Sequence, residues 1–165
     1  KKTNFRQMVE DQLRLQDQHS KDIRAREIKG QAKDFSQLRL LVRRYKTTVS
    51  DEYFLEWNQR DDKQPEGLIL GFLRLSLPTV TSFIPELAES AIIREIHVYG
   101  ELVSLTEKSV KTQHSGLGTQ LLAKAQELAQ AKGYKKLAVI SAVGTREYYR
   151  ARGFSDGELY QHLSW

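Results

Sequence analysis

A change of hydrophobic period divides this chain near residue 117 and leaves few architectures open to it. Before the change, apolar residues come in strand-length runs. Leu38–Val49 reads as one strand, Ser50-Asp51 as a turn and Glu52–Trp57 as a second strand. Asp61, Asp62, Lys63, Gln64 and Pro65 form a solvated loop, and Gly67–Leu77 follows as a mostly buried strand stopped by Pro78. Ala91–Tyr99 is the next strand, with Ile92, Arg94, Ile96 and Val98 on one face and Ile93, Glu95, His97 and Tyr99 on the other. After the change, Leu117, Leu121, Ala125, Leu128 and Ala129 recur at three- and four-residue spacing, which predicts a helix over Leu117–Lys132. Gly133 stands where a left-handed C-terminal cap belongs. Lys136–Val143 reads as a buried strand, and Gly144-Thr145 opens a short helix through Tyr148 and Tyr149. Gly153 ends that helix, and Phe154 begins the last strand segment toward Trp165. An antiparallel meander followed by β-α-β-α-β is a mixed α/β fold around one central sheet.

At 165 residues the chain can close one apolar core unaided. It holds no cysteine, so disulfides, thiolate metal sites and cysteine nucleophiles are excluded; no metal is expected. No apolar run approaches the length of a membrane span and the start lacks a secretion signal, so a cytoplasmic setting away from membranes is expected. Net charge is +5, and thirteen of the 26 Lys and Arg fall within residues 1–46, against six Asp and Glu. A basic end of this kind favours a polyanionic partner, because each phosphate contact releases condensed counterions. Residues 1–35 are polar and Gln-rich, with enough apolar content for one short amphipathic helix but no core. They read as a basic lead-in arm before a folded unit spanning 36–165.

The chemistry concentrates in Gln113-His-Ser-Gly116-Leu-Gly118, between the strand ending near Tyr99 and the helix starting near Leu117. Amides opening a helix lack intrahelical partners, and the helix dipole adds partial positive charge; such a site suits a pyrophosphate. Gly116 and Gly118 let phosphates approach the main chain without a Cβ in the way. A third glycine at the offset of a dinucleotide fingerprint is absent, and so is a phosphate loop of the G-x-x-x-x-G-K-[ST] form.

Gln-x-x-Gly-x-Gly on a strand-to-helix crossing resembles the coenzyme A signature of the GCN5-related (GNAT) acetyltransferases. Tyr148-Tyr-Arg-Ala-Arg-Gly-Phe154 resembles the same superfamily's aromatic-Tyr-x-x-x-Gly-Phe segment. That resemblance implies a central mixed, mainly antiparallel sheet with flanking helices and a splayed strand pair that takes acetyl-CoA. The splay is expected at Gly100, where freed main-chain groups of Ile96-His97-Val98-Tyr99 would pair with the pantetheine arm. It also implies that Tyr149 faces the cofactor and protonates the departing thiolate, a task suited to a phenol that is neutral at pH 7. Tyr148 joins the cofactor pocket. His97 and Glu95 are weaker proton-transfer candidates.

Three strings resemble one family within that superfamily, the catalytic subunit of Elongator and its single-protein bacterial and archaeal relatives. They are Arg94-Glu-Ile-His-Val-Tyr-Gly100, Gln113-His-Ser-Gly-Leu-Gly118 and Ala138-Val-Ile-Ser-Ala-Val-Gly-Thr-Arg-Glu-Tyr-Tyr-Arg150; Asp22-Ile-Arg-Ala-Arg-Glu-Ile28 is similar to the segment joining that family's halves. The resemblance implies a tRNA wobble-uridine-modifying enzyme in which acetyl-CoA donates the acetyl group for a carboxymethyl-type product. It also implies an upstream radical S-adenosylmethionine domain with an iron–sulfur cluster, absent from this cysteine-free chain. Ile96, His97, Val98, Tyr99, Gln113, Gly116, Gly118, Thr119, Gln120, Tyr148 and Tyr149 would line the acetyl-CoA site. Arg24, Arg26 and Lys29, near the junction with the upstream domain, would meet the tRNA backbone. The chain then reads as an isolated piece, or as a natural chain lacking that domain, that binds acetyl-CoA and transfers little by itself. Two other functions stay open: a free-standing N-acetyltransferase of protein lysine or a small amine, and an RNA-binding module keeping acetyl-CoA as a structural ligand.

Overall fold

The computed structural model describes residues 4–28, 37–99 and 116–165. Gly100, Gln113 and Lys29, and the boundary expected between 35 and 36, lie outside them. Among the described residues seven strands form one sheet in the order β1-β2-β3-β4-β5-β7-β6. β1 (Leu38–Lys46), β2 (Ser50–Asp61), β3 (Gln64–Pro78) and β4 (Ser90–Val98) make the antiparallel meander. β4 then pairs in parallel with β5 (Lys136–Val139), with helix α2 (Leu117–Ala131) between them in sequence. The short helix α3 (Arg146–Arg150) leads to β6 (Ser155–Asp156) and β7 (Gln161–Ser164). Helix α1 (Phe5–Leu15) precedes the sheet and buries none of its residues.

The apolar stripe of α2 works as its spacing predicts. Leu117, Leu121, Leu122, Ala125 and Ala129 are buried, and the last four meet Leu55, Leu73, Leu75, Ile93 and Leu137 in one core. Leu55 and Leu121 are 0% exposed, and each such burial stabilises the fold by roughly 1.5–3 kcal/mol. Gly133 at φ +83° stops the helix, with the Tyr134 amide donating to the Ala129 carbonyl at 3.1 Å. Both faces of β3 are covered, which explains its lack of alternation: Leu73 and Leu75 face α2, and Phe72 lies on the other face beside Phe54 and His97.

The structure moves several strand boundaries. The first hairpin turns at Thr47–Val49, and Ser50-Asp51 belongs to β2. Residues 61–65 are the tip of a hairpin rather than a loop, with Asp61 paired to Gln64. β5 ends at Val139 instead of running to Val143. A bulge at Arg94 changes the face assignment along β4. Leu75 opposes Ile93 but Arg74 opposes Glu95, so one extra residue is inserted. Ile93 before the bulge and Ile96 after it therefore both turn toward α2, despite opposite parity.

Residues 22–28 are docked on the sheet. Arg26 is 5% exposed, and its guanidinium donates to both carboxylate oxygens of the fully buried Glu56 (2.9 and 3.0 Å), to Gly67 O (3.1 Å) and to Glu66 O (2.9 Å). Arg26 is thus a buried structural cation, and the expected tRNA contact at this position gives way because its charge is already spent on Glu56.

Candidate functional site

The site grows from the point where β4 loses its parallel partner. Ser90 to Ile93 pair with Lys136 to Val139, and beyond Ile93 the β5 side of β4 has no partner among the described residues. The strand opening expected after Tyr99 therefore begins four residues before Val98, beside the Arg94 bulge. Past Val139 the chain turns away into a short 3-10 turn at Val143–Thr145. Val98, Ile140 and Val143 flank the opening at 49%, 65% and 81% exposure, although the apolar run 136–143 reads as a buried strand. Apolar walls without cover on both sides of an opening suit an alkyl-amide arm.

Helix α2 begins where β4 ends. Trp57 Nε1 donates to Leu117 O at 3.3 Å, which ties the first turn of the helix to β2. Gly116 is the N-cap; among the described residues no side chain caps the helix, and no acidic residue stands in its first turn. The first helical bond runs from the Gln120 amide to Gly116 O at 2.8 Å, so the preceding amides point out of the helix end. A charged oxyanion is the natural complement to such an end.

The two glycines of the loop differ in what they permit. Among the described residues, a Cβ on Gly116 would meet only Gln120 Nε2 at 3.6 Å, an ordinary contact. A Cβ on Gly118 would come within 2.5 Å of the Tyr148 hydroxyl, and 3.6 Å from Val98 Cγ2. Gly118 thus makes room for Tyr148 between the helix end and the tip of β4.

Arg152 completes this corner and has no place in the sequence reading. Its guanidinium lies 3.5 Å from the Tyr148 ring centroid, Nε donates to Thr119 Oγ1 at 3.1 Å, and a terminal nitrogen donates to Tyr148 O at 2.7 Å. The available signal was the spacing Tyr148 to Arg152, one helical turn, which puts the cation over its own aromatic partner.

Tyr149 is 5% exposed and sits in the core, with its ring edge-on to Tyr148 and Phe154, each at a centroid distance of 5.3 Å. Burial, with a smaller contribution from Tyr148, pushes its phenol up to about 12 against the opposing pull of Arg152. Burial likewise raises the Tyr148 phenol, with Arg152 opposing. Ile96 and Val98 face the α2 side with Tyr149. His97 and Tyr99 project to the opposite face. There His97 Nε2 lies 3.1 Å from Glu95 Oε1, and Arg74 reaches the other Glu95 oxygen at 3.4 Å. The sheet therefore separates the His97–Glu95 pair from Tyr149. Of the junction cations, Arg24 is exposed and Arg26 is buried.

Comparison with known proteins supports one family. The chain is 40% identical over 147 residues to Elongator complex protein 3 of Dictyostelium discoideum, covering 85% of this chain and 26% of that protein. It is 36% identical over 176 residues to the tRNA uridine(34) acetyltransferase of Dehalococcoides mccartyi, covering 98% of this chain and 36% of that protein. Among solved structures, archaeal Methanocaldococcus infernus Elp3 superimposes with a TM-score of 0.78 at 27% identity, covering all of this chain and 40% of that one. No protein-family model matches the chain. The chain thus spans about a quarter to a third of the length of these curated relatives. The mixed, mainly antiparallel sheet with flanking helices that the sequence resemblance implies is present, and archaeal Elp3 shares it.

Proposed function

Over most of its length the chain is homologous to Elongator complex protein 3 and the tRNA uridine(34) acetyltransferases, and from that premise we propose that it is the acetyl-CoA-binding acetyltransferase part of a tRNA wobble-uridine-modifying enzyme. The observation that carries the reading is the junction of a β4 edge and a first turn of α2 that have, among the described residues, no strand partner and no side-chain cap. These fit the two unlike ends of the cofactor. The helix-end amides of Leu117, Gly118 and Thr119 suit a diphosphate, and the main chain from Glu95 to Val98 suits the amides of a pantetheine arm. Bound acetyl-CoA supplies an activated acyl carbon and a thiol leaving group.

The chain's own residues then hold, shield and donate. Gly116, Thr119 and Gln120 shape the helix entrance, with Gln113 and the rest of its loop outside the described residues. Ile96, Val98 and Tyr148 wall the opening. Tyr149 keeps its proton at its hydroxyl through the neutral range, because burial holds the phenol near 12. It is the proton donor of the site. His97 and Tyr99, on the other face, would meet the acceptor side.

The partner is tRNA, met by exposed cations such as Arg24 and by Lys29 outside the described residues. The radical S-adenosylmethionine half, with its iron–sulfur cluster, belongs to the remainder of such a protein. This chain has no cysteine to ligate a cluster. No helix among the described residues is long and apolar enough to cross a membrane, and a cytoplasmic setting is part of the same proposal.

The close Glu95–His97 pair, with Nε2 3.1 Å from Oε1, favours a second reading, a free-standing amine N-acetyltransferase with His97 as proton acceptor. Isothermal titration with acetyl-CoA, followed by thiol release with tRNA or with lysine peptides and polyamines, separates the two. Stimulation by tRNA alone supports the first, and stimulation by amines supports the second. Absence of acetyl-CoA binding removes both. Binding without turnover under either condition leaves an RNA-binding module with a structural ligand.

A further inference from the structure

We infer that the junction segment Asp22–Ile28, locked by Arg26 onto Glu56, is a positioning device for the acetyl-CoA strand, so that docking of the junction and binding of the cofactor reinforce each other. The inference rests on the reading of the β4 opening as the cofactor site. It starts from where the segment lies. β4 and the junction occupy the same edge of β3 and meet end to end. The Tyr99 amide donates to Leu70 O at 2.7 Å, at the last position where β4 reaches β3. At the very next residue of β3 the junction takes over. The Ile69 amide donates to Arg26 O at 2.6 Å, and the Ile28 amide donates to Ile69 O at 3.1 Å. The local pairing is parallel, Glu27 with Ile69, whereas β4 runs antiparallel. The chain direction therefore points Ile28 toward Tyr99.

The lock itself is over-determined. Glu56 is 0% exposed and accepts from Arg26, Arg43 and Asn58. Gly67 makes the site possible. At φ +75° it presents its carbonyl to Arg26 Nε, and a Cβ there would meet Gln59 O at 2.8 Å. The lock reaches the end of β4 through charge as well. Burial is the first cause that raises the Tyr99 phenol, with Glu27 and Glu95 adding to it and Arg24 opposing.

The consequence is thermodynamic. If the cofactor prefers β4 with its end pinned, it must favour the docked junction by the same factor by which the docked junction favours the cofactor. A junction that continues into a neighbouring domain would then report that domain's position to the acetyl-CoA site.

Two measurements on the 165-residue chain test this. The first is the acetyl-CoA dissociation constant of Arg26→Lys, which keeps the charge but loses the fork, at a temperature where circular dichroism shows it folded. Weakening by roughly tenfold, with kcat at saturating acetyl-CoA unchanged, is expected, within the usual range of coupling between sites. The second is amide hydrogen exchange across residues 22–28 in the unaltered chain, which should slow at saturating acetyl-CoA. An unchanged dissociation constant in the folded variant, or unchanged exchange across 22–28 with ligand bound, overturns the inference. Should Arg26→Lys not fold, the exchange measurement decides alone. If the unaltered chain does not bind acetyl-CoA, the function proposed above fails instead.

Discussion

The hydroxyl of Tyr148 occupies the space that a Cβ on Gly118 would need, with only 2.5 Å between them. Tyr148 is further held by Arg152, whose guanidinium covers its ring, so the hydroxyl has little freedom to retreat. Gly118→Ala should therefore displace Tyr148 from the mouth of the β4 opening and weaken acetyl-CoA binding by roughly tenfold or more, as misplacement at a binding site typically does. Gly116→Ala, whose new methyl meets only Gln120 among the described residues and at an ordinary distance, should change the dissociation constant by no more than about fivefold, since an N-cap exchange of this kind typically costs about 1 kcal/mol of helix stability. Titration of both variants checks the contrast; equal losses would remove the special role of Gly118.

Tyr149→Phe removes one oxygen from a buried ring whose aromatic contacts remain, so the fold should persist. Turnover should fall by about 10²-fold or more, the usual worth of a positioned proton donor, while acetyl-CoA affinity stays near its original value. Because burial holds the phenol near 12, the acid form is present below that value and lost only above it. No loss of activity below pH 10 should trace to this residue. A pH–rate profile of the unaltered chain beside the variant measures both points.

Arg26→Met would leave the fully buried Glu56 carboxylate with only the half-exposed Arg43 guanidinium and the Asn58 amide, both at 3.3 Å, as partners. Removing one partner of a buried ion pair typically costs about 3–5 kcal/mol. The double change Arg26→Met/Glu56→Leu eliminates the under-compensated buried charge and should recover most of that loss. Urea unfolding of the single and double variants reads the difference, and a single variant as stable as the parent would contradict the buried pair.

Glu86 provides a pH signature. Burial alone would raise its carboxyl, but the His162 ring at 2.9 Å and the amides of Leu159 and Tyr160 outweigh that and hold it at about 2. A carboxyl depressed on folding contributes stability that is fully present above its unfolded value of 4.5 and is lost as pH falls toward 2. Thermal melts of the parent should therefore drop steeply across that interval. Glu86→Gln should melt lower at neutral pH and show a flatter acid limb. Parallel acid limbs for the two proteins would show that the carboxylate contributes nothing there.

Much of this molecule follows from local pattern. The stripe Leu117, Leu121, Ala125 and Ala129 specified α2, because a helix that buries one side must repeat its apolar residues every three or four positions. Gly133 marked the helix end for an equally local reason, since its left-handed φ suits a residue without Cβ. The strand-to-helix crossing before Leu117 marked the start of α2 in the same way.

What lay beyond the sequence was decided by pairing between distant segments. The bulge at Arg94 turned Ile96 to the face opposite the one that strict alternation assigns, because register depends on the partner strand and is invisible within β4. The end of β5 at Val139 depended on where its neighbour diverged, so an apolar run that looks buried lines an opening instead. Arg26 and Glu56 are separated by thirty positions, and only the folded sheet turns a basic lead-in residue into an internal lock. Periodicity and backbone preference act within a turn or a strand and can be read along the chain. Register, the spacing of diverging strands and the burial of a charge are properties of contacts that exist only once the chain has closed on itself.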